Sequence, residues 1–388
     1  MWRHIAANAL SLLIVVLFLA GGLVVWGSNE YRAEGPLGAP ICLQVPRGAS
    51  MGGVSEDLVS RGAVSSDTLF RIGADYAGKT GDLKAGAFLV PAGASMEQIV
   101  DIVTRGGAST CGTEVVYRVG VTRTLVDVRE LDPASGDYVQ LARFERGEEP
   151  PAEYLQVSEA ADTQFLAIVA PGVTSWTVVQ ELNAIPQLAP NDGTVPPEGA
   201  LAPADYAFQP GDAAQDILDR MVAAQDRILA AAWDTRAAGL PYETPQEALI
   251  MASIVEKETG LAEERGRVAS VFVNRLNQGI KLQTDPTVVY GITLGEGNLG
   301  RGLRQSELRA ATAYNTYVID GLPPTPIANP GRDAIEAALN PDATEFLFFV
   351  AATLDPADGH IFAETYDQHR VNVEAYRALE AEAAASGN

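Results

Sequence analysis

Histidine and cysteine are the scarcest chemistry-bearing residues in this sequence, at 3 and 2 copies among 388 positions. So few and so scattered, they exclude a zinc module, whose ligands come in close-set pairs. No Gly-rich phosphate loop opens a helix, and no Ser-His-Asp order or Cys-His pair appears. Nucleotide-binding and nucleophilic acyl-transfer readings lose their footing with them. Basic residues are also short, 27 Lys and Arg against 50 Asp and Glu, for a formal net charge of −23. A chain of that sign lacks the cationic surface that nucleic acid requires, and a polybasic grip on anionic lipid as well. No nucleic-acid partner, metal or cofactor is expected. Acidity of itself reports solubility and names no partner.

Long hydrophobic runs are absent but for one. From Ile5 to Trp26 there is no charged residue, and about 20 apolar residues are what a bilayer core requires. Arg3 precedes the run and Glu30 follows it, so the positive-inside rule places the short N-terminus in the cytoplasm. A cleaved signal peptide is the rival reading, although its apolar region is usually shorter and no small-x-small cleavage site follows Trp26. Either way, everything after Tyr31 is exported. An oxidising compartment would let Cys42 and Cys111 pair in a disulfide, the alternative being two small buried thiols.

Beyond the run one pattern recurs: Val45-Pro46-Arg47-Gly48-Ala49-Ser50, Val90-Pro91-Ala92-Gly93-Ala94-Ser95 and Ala170-Pro171-Gly172-Val173-Thr174-Ser175 each precede an amphipathic stretch. Each reads as a strand end, a Gly turn, a Ser or Thr cap and a helix, or more blandly as common turn chemistry. The first two copies suggest a small β-α-α-β module over 40–112, an arrangement that resembles the LysM fold, which grips N-acetylated glycans elsewhere. Residues 113–165 form an insert of unassigned role, with strands expected at Val115–Val119 and Tyr138–Arg143 and a loop at Glu145–Glu153. A connecting segment with one long helix, Ala213–Ala238, fills 166–244. Thr244, Pro245 and Glu247 then cap a new helix, opening a domain over 245–388. The expected class is α+β, with an N-terminal transmembrane helix in 1–28.

In the helix from Pro245 to about Gly260, the residues Met251, Ile254, Val255 and Glu258 follow i, i+3, i+4, i+7 spacing. At roughly 100° per residue they share one face, while Glu256 points about 160° away from Glu258. A carboxyl group held against apolar surface tends to keep its proton, as a general acid for glycosidic cleavage must. The alternative is a buried glutamate paired with Arg265, Arg267 or a capping amide. Glycines in Gly291–Gly302 come after a strand or turn and read as a flexible loop.

The neighbouring blocks are Met251–Thr259, Glu264-Arg265, Val268–Leu276, Leu282–Gly291, Ala313–Tyr317, Gly321–Pro324 with Pro326–Gly331, and Gly359–Asn372. In this order they closely resemble the YceG/MltG family of endolytic murein transglycosylases, densely over 245–373 and loosely over 40–112 and 166–240. The insert 113–165 lies outside the family pattern. The resemblance implies a mainly helical, lysozyme-like catalytic domain with one essential acid, the second glutamate of Glu256-Lys257-Glu258-Thr259. It implies cleavage of peptidoglycan glycan strands with 1,6-anhydro ends, at the periplasmic face of the inner membrane and beside the cell-wall synthases. Tyr314-Asn315 matches a Tyr-Asn motif whose hydroxyl lies near the acid. Gln283, Asp285, Tyr314, Asn315 and His369 are the candidates for the substrate-binding wall, each with a loop-stabilising hydrogen bond as its alternative. A muramidase-type hydrolase using Asp285 or Glu256 as second carboxylate, and a non-catalytic glycan-binding scaffold, remain as rival functions. His360 and His369, 9 residues apart, have no third ligand at metal spacing.

Overall fold

The chain begins with α1 (Trp2–Arg32), one unbroken helix. The computed structural model describes residues 2–46, 48–105, 110–160 and 163–386, and the side chains among these except 2–11 and 386. Within α1, Leu12–Arg32 has a mean hydropathy of 2.1 and none of its apolar window is buried. Its length and composition suit a membrane span, a test that a signal sequence also passes.

The residues form two compact units: one takes 1–116, 127–144 and 148–165, the other 117–126, 145–147 and 166–388. In the first, β1 (Ile41–Val45), α2 (Met51–Ser60), α3 (Asp67–Tyr76) and β2 (Gly86–Val90) run in the expected β-α-α-β order, and α4 (Met96–Thr104) is added. β1 and β2 pair antiparallel, Leu43 opposite Phe88. The caps are where the recurring pattern places them. Ser50 accepts from Gly53 N at 3.2 Å, and Ser95 accepts from Gln98 N while Gln98 returns the bond to Ser95 N. Leu43, Leu58, Phe70, Val90 and Ile99 fill the core beneath these elements.

The last turn of α1 is built into this core. Tyr31 lies on Gly73 of α3, where a Cβ would stand 2.1 Å from the ring. Glycine in mid-helix costs roughly 1 kcal/mol, and here it makes room for that ring. Ser65 Oγ donates to Glu30 at 3.0 Å, Arg32 Nε to Glu97 at 3.3 Å, and Gly35 N to Gly93 O at 3.0 Å. Cys42 and Cys111 are joined in a disulfide across a sequence separation of 69.

The stretch 113–169 is richer in strands than its sequence suggests. β3 (Thr113–Val119), β4 (Thr124–Leu131) and β5 (Tyr138–Glu145) precede α5 (Ala152–Val157) and β6 (Gln164–Val169); then come α6 (Ser175–Asn183) and β7 (Asp205–Phe208). The sheet order is β5-β4-β3-β6-β7. Thr174 caps α6, accepting from Thr177 N at 3.3 Å.

The remaining elements are α7 (Ala214–Asp234), α8 (Pro245–Glu258), α9 (Arg265–Asn277), α10 (Asp285–Thr293), α11 (Gln305–Leu308) and α12 (Arg332–Leu339), then β8 (Phe348–Ala351), β9 (His360–Ala363) and α13 (Tyr366–Ser386). The run Val288-Val289-Tyr290, where a strand or turn was expected ahead of Gly291, lies in helix α10, with Thr284 at its N-cap position and Pro286 in its first turn. Helix α8 is the spine of the second unit. It packs against α7, α9 and α12 around Met251, Ile254, Val255, Phe272 and Ile335. Buried Asn329 ties the loop ahead of α12 to the start of α6, donating to Val173 O at 2.9 Å and accepting from Leu201 N at 2.9 Å.

The disulfide gives the first expected outcome. Replacing Cys42 and Cys111 together by serine should lower the unfolding free energy of the first unit by about 2–5 kcal/mol, measured by urea denaturation of the full chain with and without reductant. The wild-type protein should lose the same amount on reduction, and the variant nothing further.

Candidate active site

Helix α8 starts from a capping box: Thr244 Oγ1 accepts from Glu247 N at 3.2 Å and Glu247 Oε2 accepts from Thr244 N at 3.1 Å. From Ala248 to Val255 every residue is buried. The helix is therefore enclosed on all sides, and the apolar stripe read from the sequence is only part of its buried surface. Its final residue is Glu258, whose side chain is half-buried.

Thr284 Oγ1 donates to Glu258 Oε1. Two further buried threonines fix that donor: Thr284 N donates to Thr316 Oγ1 at 3.1 Å, and Thr287 Oγ1 donates to Thr284 O at 2.8 Å. Burial pushes the Glu258 carboxyl above the usual carboxylate range. The Thr284 bond and the charges of His360 and Arg275 oppose the rise, and Asp285 adds to it. Burial wins. The group is disposed to hold a proton where an exposed glutamate has lost it.

The structure brings some of the sequence candidates to this carboxyl and places others elsewhere. Asp285 is exposed, acts electrostatically on Glu258, and accepts from Tyr317 Oη at 2.7 Å. Gln283 is exposed, with φ of 51°, a left-handed conformation unusual for a side-chain-bearing residue. Its backbone N donates to Thr316 O at 3.1 Å, which anchors the bend just ahead of Thr284. Tyr314 turns its hydroxyl to Thr325 Oγ1 at 2.8 Å and its ring to Tyr290, 5.1 Å between centroids. Asn315 lies beneath the wall instead of on it. It is 0% exposed, gives its amide to the carbonyls of Glu307, Leu308 and Ala310, and accepts from Tyr317 N. That is the loop-stabilising alternative. His369 stacks on Phe348 at 5.1 Å, with Nδ1 buried and unpaired. Burial and the nearby Arg275 charge lower its pKa, which favours the neutral ring.

Several residues that the sequence reading passed over belong to the site. Tyr317 is held by Asp285 and feels the charge of Glu258. Arg275 is a buried cation whose guanidinium donates to Leu347 O at 2.6 Å and Leu282 O at 2.7 Å. Glu264, 2% exposed, accepts from Thr259 Oγ1 at 2.6 Å, His360 N at 3.0 Å and His360 Nδ1 at 2.7 Å. Burial acts to raise this carboxyl, but those bonds outweigh it and hold Glu264 below its ordinary range. Thr284 and Tyr317 sit within the Leu282–Gly291 and Ala313–Tyr317 blocks, one or two residues from positions the blocks do single out.

Glu256 corrects the simple helical-face picture. It is not turned to open solvent but half-buried, its Oε2 accepting from Gly331 N at 2.9 Å at the start of α12. Burial raises its pKa too, against the pull of that N–H. The two glutamates therefore differ by partner: Glu256 serves a helix N-terminus, and Glu258 meets a hydroxyl beside other ionisable groups. Among the described residues no three His, Cys, Asp or Glu side chains gather as a metal centre would need. An open depression of about 640 Å³, lined by residues that include Thr235, Arg265, Arg332 and Asp333, does not include Glu258.

The sequence profile of the YceG-like family matches residues 43–375. The chain belongs to the YceG-like family. The matched range runs across 113–165, so the stretch read as lying outside the family pattern falls within its limits. A curated Streptococcus pneumoniae protein named endolytic murein transglycosylase is 28% identical over 383 residues, 95% of this chain and 65% of that protein. This YceG-like chain thus spans about two thirds of that relative's length. A Bacillus subtilis protein of the same name is 26% identical over 367 residues, 92% of this chain and 91% of that protein. A crystal structure of a Listeria monocytogenes protein described as YceG-like aligns with TM-score 0.41 and 26% identity, covering 86% of this chain and 98% of that one.

Two outcomes are expected for the YceG-like chain. Because the Glu258 pKa is raised on folding, the folded state binds more protons than the unfolded chain in the window above the ordinary carboxyl range. Stability therefore falls as pH rises from that range through the raised value. Glu258→Gln should melt higher than wild type above the window and together with it below. A difference independent of pH would defeat the account. Glu256→Ala, which removes the acceptor for Gly331 N, should cost about 0.5–2 kcal/mol, the usual worth of a helix cap, seen as a lower urea midpoint.

Proposed function

We propose that this chain is an endolytic peptidoglycan lytic transglycosylase, with Glu258 as its single catalytic acid and base. The observation that carries the reading is the state of the Glu258 carboxyl: half-buried, pushed towards its neutral form, and oriented by one fixed hydroxyl donor, Thr284. Most glycosidases need two carboxylates, one as acid and one as base or nucleophile. A transglycosylase of this kind needs one, because the attacking hydroxyl is already on the substrate.

In this reading Glu258 protonates the oxygen of the β-1,4 link between N-acetylmuramic acid and the following N-acetylglucosamine. The bond to muramic C1 breaks, and the C6 hydroxyl of the same sugar closes on C1. The ionised Glu258 takes the hydroxyl proton, so the carboxyl ends as it began. The product carries a 1,6-anhydro end, and no water is consumed. Asp285 with Tyr317, Gln283 and Tyr314 form the wall; His369 is a rim residue. The curated relatives from S. pneumoniae and B. subtilis, both named endolytic murein transglycosylases, support the substrate and the reaction class.

The proposed organisation keeps to the sequence boundaries. Residues 1–28 hold a cytoplasmic stub and single-pass anchor in the inner membrane, and 40–112 form a LysM-like glycan-gripping module. Residues 113–165 are an insert of unassigned role, and 166–244 lead into a lysozyme-like catalytic domain over 245–388 in the periplasm. Peptidoglycan strands are then the substrate where they emerge, beside the synthases that polymerise them.

Product analysis tests the reading. Full chain in detergent, incubated with uncrosslinked glycan strands, should release fragments with anhydro ends by mass spectrometry. Glu258→Gln should lower the rate by at least about 10²–10⁴-fold while strand binding persists. Reducing ends would assign a muramidase, with Asp285 as the second carboxylate to examine. Binding without cleavage by wild type would assign a scaffold, and wild-type turnover in Glu258→Gln would remove that residue from the chemistry.

A further inference from the structure

Glu258 is the last residue of α8, so no further helical turn holds it in place. The next residue, Thr259, is extended at φ −144° and ψ 136°, with only its backbone N–H joined to the helix, at Val255 O. The chain direction at Glu258 is set by whatever fixes Thr259. Thr259 is 5% exposed, and its hydroxyl both accepts from Leu261 N at 3.0 Å and donates to Glu264 Oε1 at 2.6 Å.

Glu264 is the hub. It is 2% exposed and receives three hydrogen bonds from two directions, Thr259 on one side and the backbone and ring of His360 on the other. An ionised carboxylate only accepts, so the proton of the His360 ring must sit on Nδ1. The chain is shaped around this group at a second place as well. Gly359 has φ 68°, and a Cβ there would stand 2.7 Å from Glu264 Oε2, so glycine lets the strand approach the carboxylate. His360 is in turn braced against Phe349, 5.1 Å between ring centroids in an edge-on contact.

We propose that Glu264 is a positioning residue for the reaction, acting through Thr259 and His360 to hold the end of α8 and with it the Glu258 carboxyl. It is a second carboxylate on which the rate depends, yet it takes no part in proton transfer to the sugar, because it is 2% exposed and both its oxygens accept from protein donors. This rests on the transglycosylase reading. The energetic logic is that of alignment: a displacement of about 1 Å at a reacting group can cost roughly 10²-fold in rate.

The test uses full chain in detergent on uncrosslinked glycan strands, with kcat and KM taken from the release of anhydro ends. Glu264→Gln keeps the shape but puts an amide donor where only acceptors fit. It should lower kcat by about 10–100-fold with KM close to wild type, and it should also lower the melting temperature, because the bonds that favour the ionised carboxylate are lost. Thr259→Val, which cannot donate, should fall likewise, and Thr259→Ser, which can, should restore wild-type kcat. The double variant Glu264→Gln/Thr259→Val should be no slower than either single variant, since both break one device. Wild-type kcat in a folded Glu264→Gln would overturn the proposal. So would Val and Ser variants of Thr259 that behave alike, or losses in which KM changes as much as kcat. Should Glu264→Gln not fold, the Thr259 pair decides alone. If wild type releases no anhydro ends, the transglycosylase reading falls and takes this inference with it. If wild type releases them and the variants are indifferent, this inference alone falls.

Discussion

Removing a carboxyl group from water favours its neutral form, and the second unit is arranged so that this constraint bears on Glu258. Three nearby influences pull the other way, the Thr284 hydroxyl and the electrostatic effects of His360 and Arg275, and each would favour the ionised form. Burial outweighs them, with help from the negative Asp285. The outcome depends on keeping α8 enclosed from Ala248 to Val255, because a helix exposed along one side would let water reach its end. Capping at Thr244, the packing of α12 against α8, and the buried threonines under Thr284 all serve that enclosure.

The desolvation of Glu258 was legible in the sequence, although an apolar helix face gives only part of its cause. The place of Glu258 on an apolar face singled it out over Glu256, yet both glutamates are desolvated and both have raised pKa values. What separates them is tertiary. Glu256 meets the N–H of Gly331, 75 residues on, and Glu258 meets a hydroxyl 26 residues on. No helical wheel carries that information. The same limit hid the Glu264–His360 pair, 96 residues apart, and made Asn315 look like a binding group when its amide holds a loop together.

Local chemistry fared better in the fold. Ser50, Ser95, Thr174 and Thr244 cap helices where cap residues precede apolar periodicity. β4 escaped notice for a definite reason. Its sequence, Thr124–Leu131, carries Asp127, Arg129 and Glu130 among its apolar residues, which reads as loop. Asp127 is nevertheless 2% exposed, paired with both the Nε and Nη2 of Arg143, and Arg129 meets buried Glu114 at 2.7 Å. Charges that cancel between strands are invisible along one strand. In α10 the strand or turn expected ahead of Gly291 is a helix, with a proline in its first turn.

The end of α1 carries a mechanical consequence. A tether between a membrane-type helix and the part beyond it usually contains a few flexible residues, which let the two turn independently. Here the helix continues without a break until Arg32, and its last turn is seated in the first unit by the Tyr31 ring on Gly73 and by the Glu30 and Arg32 contacts. There is no swivel at this joint. Whatever fixes the tilt and rotation of α1 about its own axis also fixes the direction in which the β-α-α-β module faces, so torque on one is felt by the other.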